Sequence, residues 1–178
     1  MKTEATMGDR LIKALLVMLI LAASCFAQTP DELRRKYGKP ETLSHKSSQI
    51  LVERYTIRPG IIMTVKFADY RRACEMRIEP FRSTNSYGDQ VIQAEDAYMI
   101  TEELAPASKR GRTIKATNVG VECSWVAYNE YERVMIAVAT RCSDWGGGTY
   151  SINIRWKHFA CEQIDGKDRA PKTGTSSE

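Results

Sequence analysis

The chain has little of what most catalytic and metal sites are built from. Its 178 residues include two histidines, His45 and His158. No Cys-x-x-Cys, no Gly-x-Ser-x-Gly elbow and no Asn-x-Ser/Thr sequon occurs. A Ser-His-Asp or Cys-His arrangement would have to recruit one of those histidines. His45 sits in the polar run Leu43-Ser-His-Lys-Ser-Ser48, which reads as solvated. His158 continues the inward parity of Trp156, which reads as a partly buried, satisfied side chain. A zinc site would have His158-Phe-Ala-Cys161 as one half and no second half. Charge of one sign is also lacking, with 26 Lys+Arg against 22 Asp+Glu and a formal net charge of +4. Nucleic-acid binding needs a concentrated basic face or interleaved stacking aromatics, and neither is present. No cofactor, metal or nucleic-acid partner is expected. With 11 Gly, 6 Pro and 43% hydrophobic residues, collagen-like and wholly disordered classes are excluded.

Long apolar runs are short too. Ala14-Leu-Leu-Val-Met-Leu-Ile-Leu-Ala-Ala23 is uncharged, and counting on to Ala27 still falls below the roughly 20 residues needed to span a bilayer. Lys2, Arg10 and Lys13 precede it, and Cys25-Phe26-Ala27 places small residues at −3 and −1 of a cut after Ala27. Residues 1–27 therefore read as a signal peptide, with initiation at Met1 or Met7. Leu21-Ala-Ala-Ser-Cys25 also resembles a lipobox in which Cys25 is acylated, although its Leu stands one place early. The expectation is an exported, periplasmic or extracellular protein, with lipoprotein anchoring as the alternative. The signal style and the missing sequon suggest a bacterial envelope.

Cysteines agree with export. Beyond Cys25 there are four, Cys74, Cys123, Cys142 and Cys161, an even number in a chain bound for an oxidising compartment. Two disulfides are expected, with three connectivities open. Cys74–Cys161 with Cys123–Cys142 is favoured. A hairpin turning near Asn129 would set Cys123 opposite about residue 135, so the second bridge would need Cys142 to fold back in a loop.

The mature start carries a capping box. Thr29 precedes Pro30, Glu32 lies three places on, and Gly38-Lys39-Pro40 ends the helix. Strands are expected at 50–57, 61–68 and 74–79. In the second, Met63, Val65 and Phe67 alternate with Thr64 and Lys66; in the third, Cys74, Met76 and Ile78 alternate with Glu75, Arg77 and Glu79. A helix is expected over 91–105, with Ala97, Ile100 and Leu104 inward. Strands follow at 119–127 (Val121, Cys123 and Trp125 on one face), 131–141, and 149–158 (Tyr150, Ile152, Ile154 and Trp156 inward). The expected fold class is α+β, an antiparallel sheet of five or six strands with two helices on one face. The order also reads as α-βββ twice, about 65 residues apart, which suggests a tandem repeat. Residues 28–161 would form one domain and 162–178 a disordered tail. Over residues 30–79 the order of helix, Gly-x-Pro and strands is similar to that of small exported bacterial modules, the outer-membrane assembly lipoproteins and β-lactamase inhibitor proteins. No residue role is carried over from that resemblance.

Chemistry has few other places to reside. The neighbouring carboxylates Glu95/Asp96, Glu102/Glu103 and Glu130/Glu132 do not converge as adjacent residues and read as solvated faces. The loop Asp144-Trp-Gly-Gly-Gly-Thr149 is followed by a strand, so it lacks the helix that a phosphate cradle needs. Its Trp145 is a candidate partner contact. Arg71, Arg72, Lys109, Arg110, Arg112 and Lys115 form a basic set that could meet an anionic surface. The reading is a small, exported, disulfide-stabilised, non-catalytic protein: a binding or envelope-accessory module whose partner is another envelope protein or an anionic surface. A secreted hydrolase with a scattered active site and a lipid-anchored envelope scaffold are the alternatives.

Overall fold

A computed structural model describes residues 27–43, 50–69, 71–81, 91–142, 147–159 and 161. The expected signal segment before Ala27, Cys25, His45, Trp145 and the expected tail 162–178 lie outside the described residues. Helix α1 spans Pro30–Tyr37 and has the anticipated start. Thr29 Oγ1 accepts from the Glu32 N–H at 3.2 Å, while the Glu32 carboxylate accepts from the Thr29 N–H at 2.7 Å. Gly38 then turns the chain at φ 84°, a left-handed value that favours glycine. After it come β1 (Glu41–Thr42), β2 (Leu51–Arg58), β3 (Ile61–Ala68) and β4 (Arg72–Pro80). The second half runs α2 (Ala94–Leu104), α3 (Ala107–Arg110), β5 (Thr113–Val121), β6 (Ser124–Tyr131), β7 (Val134–Arg141) and β8 (Gly148–Trp156).

All eight strands form one antiparallel sheet in the order β1-β2-β3-β4-β8-β7-β6-β5. This corrects the expected α+β arrangement of five or six strands under two helices, and the α-βββ repeat with it. Strand is the dominant element and the helices are short. Two four-stranded meanders meet where β4 pairs with β8, Met76 opposite Ile154 and Ile78 opposite Ile152. The extra strands escape a pattern search for physical reasons. β1 is two residues long. β5 is exposed on nearly every residue, so no alternation marks it. The expected strand 119–127 is in fact the end of β5, a two-residue turn at Glu122–Cys123, and the start of β6. That turn contains no glycine or asparagine; Glu122 itself holds φ 52°. The second reversal lies at Glu132–Arg133, not near Asn129.

Where one face of a strand is covered, alternation and burial coincide. β3 buries Ile61, Met63, Val65 and Phe67, and β4 buries Cys74, Met76 and Ile78. With Ile152, Ile154 and Trp156 of β8 and Val134 and Ile136 of β7 they form the core. Leu33 of α1 and Ala97, Ile100 and Leu104 of α2 close it from above. Area removed from water at ~25 cal/mol per Å² is the main stabilising term.

Two carboxylates tie the short helices to the sheet. Glu53 of β2 is fully buried and accepts from the Arg34 guanidinium and the Tyr55 hydroxyl. Glu103 at the end of α2 accepts from the Tyr37 hydroxyl, pairs with Lys36 at 2.8 Å and with Arg58 at 3.3 Å. Burial pushes both tyrosines well above the usual phenol range, and the adjoining carboxylates add to that shift. The folded chain therefore holds protons that the unfolded chain releases near pH 10. The tyrosines' contribution to stability is expected to be level up to about pH 10 and to fall as pH rises beyond it, because the unfolded state then binds fewer protons. Urea unfolding at pH 8 and at pH 11 measures this. Tyr37→Phe should reduce the alkaline loss to the share of Tyr55, and a wild-type midpoint that does not change would contradict the tyrosine assignment.

Candidate functional site

Helices cover one face of the sheet. Among the described residues, no helix lies on the other face, and its composition changes from one half to the other. Over β3, β4 and β8 it is charged. Glu75 there pairs with Lys66 and with Arg155, both at 3.5 Å, and Arg77 pairs with Glu79 at 2.7 Å. Over β6 and β7 the same face turns apolar and aromatic. A groove of about 410 Å³ lies along this boundary, lined by Val126, Tyr128, Met135, Ala137, Ala139 and Tyr150, with Arg77, Ser151, Asn153 and Arg155 along its charged side.

Register explains how these residues meet. Tyr128 stands opposite Ala137, and Val126 opposite Ala139. Small residues on β7 leave room between the aromatics. Tyr150 is the residue that simple alternation misplaces. It was expected inward with Ile152, Ile154 and Trp156. The register slips where Ala139 pairs with Ser151 but Thr140 pairs with Thr149, so Thr149 is buried and Tyr150 lines the open groove instead. Its ring carries the Arg141 guanidinium at 4.8 Å.

A second cleft, about 320 Å³, opens between α2 and the inner face of β6 and β7. Arg110 lines it but is engaged within the fold. Its Nε donates to the Ala105 carbonyl, its guanidinium pairs with Glu102 and it lies 5.5 Å over the Tyr131 ring. Arg110 thus fastens α2 and α3 to β6.

The other residues singled out from the sequence fall as follows. Arg112 is exposed and binds Glu132 at 2.6 Å. Arg72 donates to the Ala27 carbonyl at 3.1 Å, and Arg71 is exposed beside it. Arg72 and Lys109 both lie within electrostatic reach of Glu32, whose carboxyl is held low chiefly by the Thr29 N–H. Arg110 stands apart from them as a buried group. His158 is exposed in the turn after β8 rather than partly buried, because β8 ends at Trp156. Glu102, Glu103, Glu130 and Glu132 each serve an ion pair. Among the described residues no group of three or more His, Cys, Asp or Glu could hold a metal ion.

The structure pairs Cys74 with Cys161 and Cys123 with Cys142, at Cα separations of 5.6 and 4.9 Å. The second bridge needs no fold-back. Since the turn is at Glu122–Cys123, Ser124 faces Arg141, and Cys142 donates its N–H to the Cys123 carbonyl at 3.0 Å. Among the described residues no helix is long and apolar enough to cross a membrane. The disulfides are compatible with an exported protein. No protein-family model, curated protein or solved structure matches the chain.

Proposed function

We propose that the chain is exported from the cytosol, cut after Ala27, and acts without catalysis by docking a protein partner in the helix-free groove of its sheet. One observation carries the docking surface. An antiparallel sheet in water usually shows polar residues on its free face, yet here Val126, Tyr128, Met135 and Ala137 stand together on that face beside Arg77 and Asn153. Aromatic and Met side chains next to an Arg are the composition of interface centres rather than of rims. The partner that fits is another envelope protein presenting a loop with one or two apolar side chains and a backbone or carboxylate acceptor for Arg77. The two disulfides support export, since such bridges persist in oxidising compartments. Residues 28–161 form one domain in this reading.

Two measurements test it. Intact mass of the protein from culture should give a mature start at Gln28; a diacylated start at Cys25 would replace the soluble form with a lipid-anchored one. A photoreactive residue at Ala137, activated in living cells, should give one discrete adduct that disappears when Tyr128→Glu is added. Absence of any adduct from Val126, Ala137 and Ala139, in protein shown to be oxidised and folded, would overturn the groove as a docking face.

A further inference from the structure

Among the described residues, strand β5 ends the sheet on one side, and no strand lies beside its outward backbone groups. An edge of this length is normally blunted by charges, proline or a bulge. β5 has no proline, and Lys115 is its sole charged residue. Its irregularity lies between Thr113 and Lys115, so Lys115–Val121 is a regular, open edge. Val119 is 58% exposed within the strand, and Val121, its last residue beside the Glu122–Cys123 turn, is 81% exposed. The opposite edge of the sheet differs. β1 has two residues, and its Glu41 is held by Arg54 at 3.3 Å.

We propose that two copies of this chain join β5 to β5 in antiparallel register about a two-fold axis through Asn118, making one continuous sheet. The sequence of the edge fits a second copy of itself. Centred on Asn118, Lys115 faces Val121 of the other copy, Thr117 faces Val119, and Ala116 faces Gly120. No like charges meet. Lys115, Thr117, Val119 and Val121 share one face of the strand, so Thr117–Val119 contacts form twice, and the Lys115 stem covers Val121 twice. A two-fold uses the β5 edge of each copy, and the two-residue β1 edges are too short to continue the sheet, so assembly stops at a dimer. The joined sheet also carries the apolar side of the free face across the axis, through Val119 and Val121. This inference goes beyond the docking role and stands without it.

Sedimentation of the oxidised protein at about 100 μM should give twice the monomer mass. Val119→Lys places a second cation in the seam on each side of the axis and should raise the dimer dissociation constant about tenfold or more. Its far-ultraviolet circular dichroism, and its melting temperature at concentrations too low for the dimer to form, should be unchanged, because the site is exposed. Asn118→Cys tests the register. Two cysteines facing each other across the axis lie within disulfide reach, so mild oxidation should yield a covalent dimer, while Thr64→Cys on the free face of β3 should not. Three results overturn the proposal: a monomer at that concentration, a dimer indifferent to Val119→Lys, or Asn118→Cys linking no faster than Thr64→Cys. None of these depends on the groove finding a partner, so failure of one reading leaves the other measurable.

Discussion

Replacing Cys74 and Cys161 together by alanine is expected to lower stability by about 4–5 kcal/mol, and replacing Cys123 and Cys142 by about 3 kcal/mol. The order follows from chain length. The first bridge closes a loop with a sequence separation of 87, the second one of 19. The unfolded chain gains more freedom when the longer loop opens. Position adds to the difference. Cys74 is fully buried on β4, next to the seam where the two meanders join, and Cys161 fastens the chain after β8 beneath it. Cys123–Cys142 instead braces a turn in the exposed part of the sheet, where β5 and β6 have little core beside them. In melting experiments the first double variant should lose roughly 10–20 °C. Urea unfolding of both variants, with m-values to show that the compactness of the unfolded state is accounted for, measures the ranking. Equal losses, or the reverse order, would show that native strain rather than loop closure governs these bridges.

Arg34→Ala is expected to cost about 2–4 kcal/mol at neutral pH, more than an ordinary surface ion pair. The reason is what remains behind. Glu53 is completely enclosed, and without Arg34 its carboxylate keeps, among the described residues, the Tyr55 hydroxyl as a partner and no paired cation. Arg34 is itself 44% exposed, so water softens the penalty to below that of a fully buried pair. The prediction has a sharper second half. Removing the whole polar group, Arg34→Ala with Glu53→Leu and Tyr55→Phe, should recover most of the loss and come within about 1 kcal/mol of the parent protein. If the triple variant is as unstable as Arg34→Ala, packing of the arginine stem, not the stranded carboxylate, is the source of the effect. Chemical denaturation of the three proteins side by side decides between them.

These two predictions rest on different kinds of information. Four cysteines beyond the apolar run Ala14–Ala23 are visible in the sequence, and so is their chemistry. Burial of Glu53 is not. It lies in Val52-Glu53-Arg54-Tyr55, where a charged residue would ordinarily be assigned to the solvent face, and Arg34 that neutralises it is on another element. The same contrast runs through the groove. Val126, Tyr128, Met135 and Ala137 look like routine strand residues in sequence. They become a candidate site because the helices cover the other face of the sheet and because a register slip turns Tyr150 outward.

What the amino-acid sequence determined by itself was local: the capping box at Thr29–Glu32, the alternation along β3 and β4, the helical spacing of Ala97, Ile100 and Leu104, and the cysteine number. Each depends on residues close in the chain and on a burial contrast strong enough to leave a period. Tertiary structure alone decided the number of strands, the meeting of β4 with β8, the place of the Glu122–Cys123 turn and which face stayed open. Those features are set by pairing between distant segments. A strand such as β5, exposed on both sides, is held by hydrogen bonds to its neighbour and leaves no hydrophobic period to read.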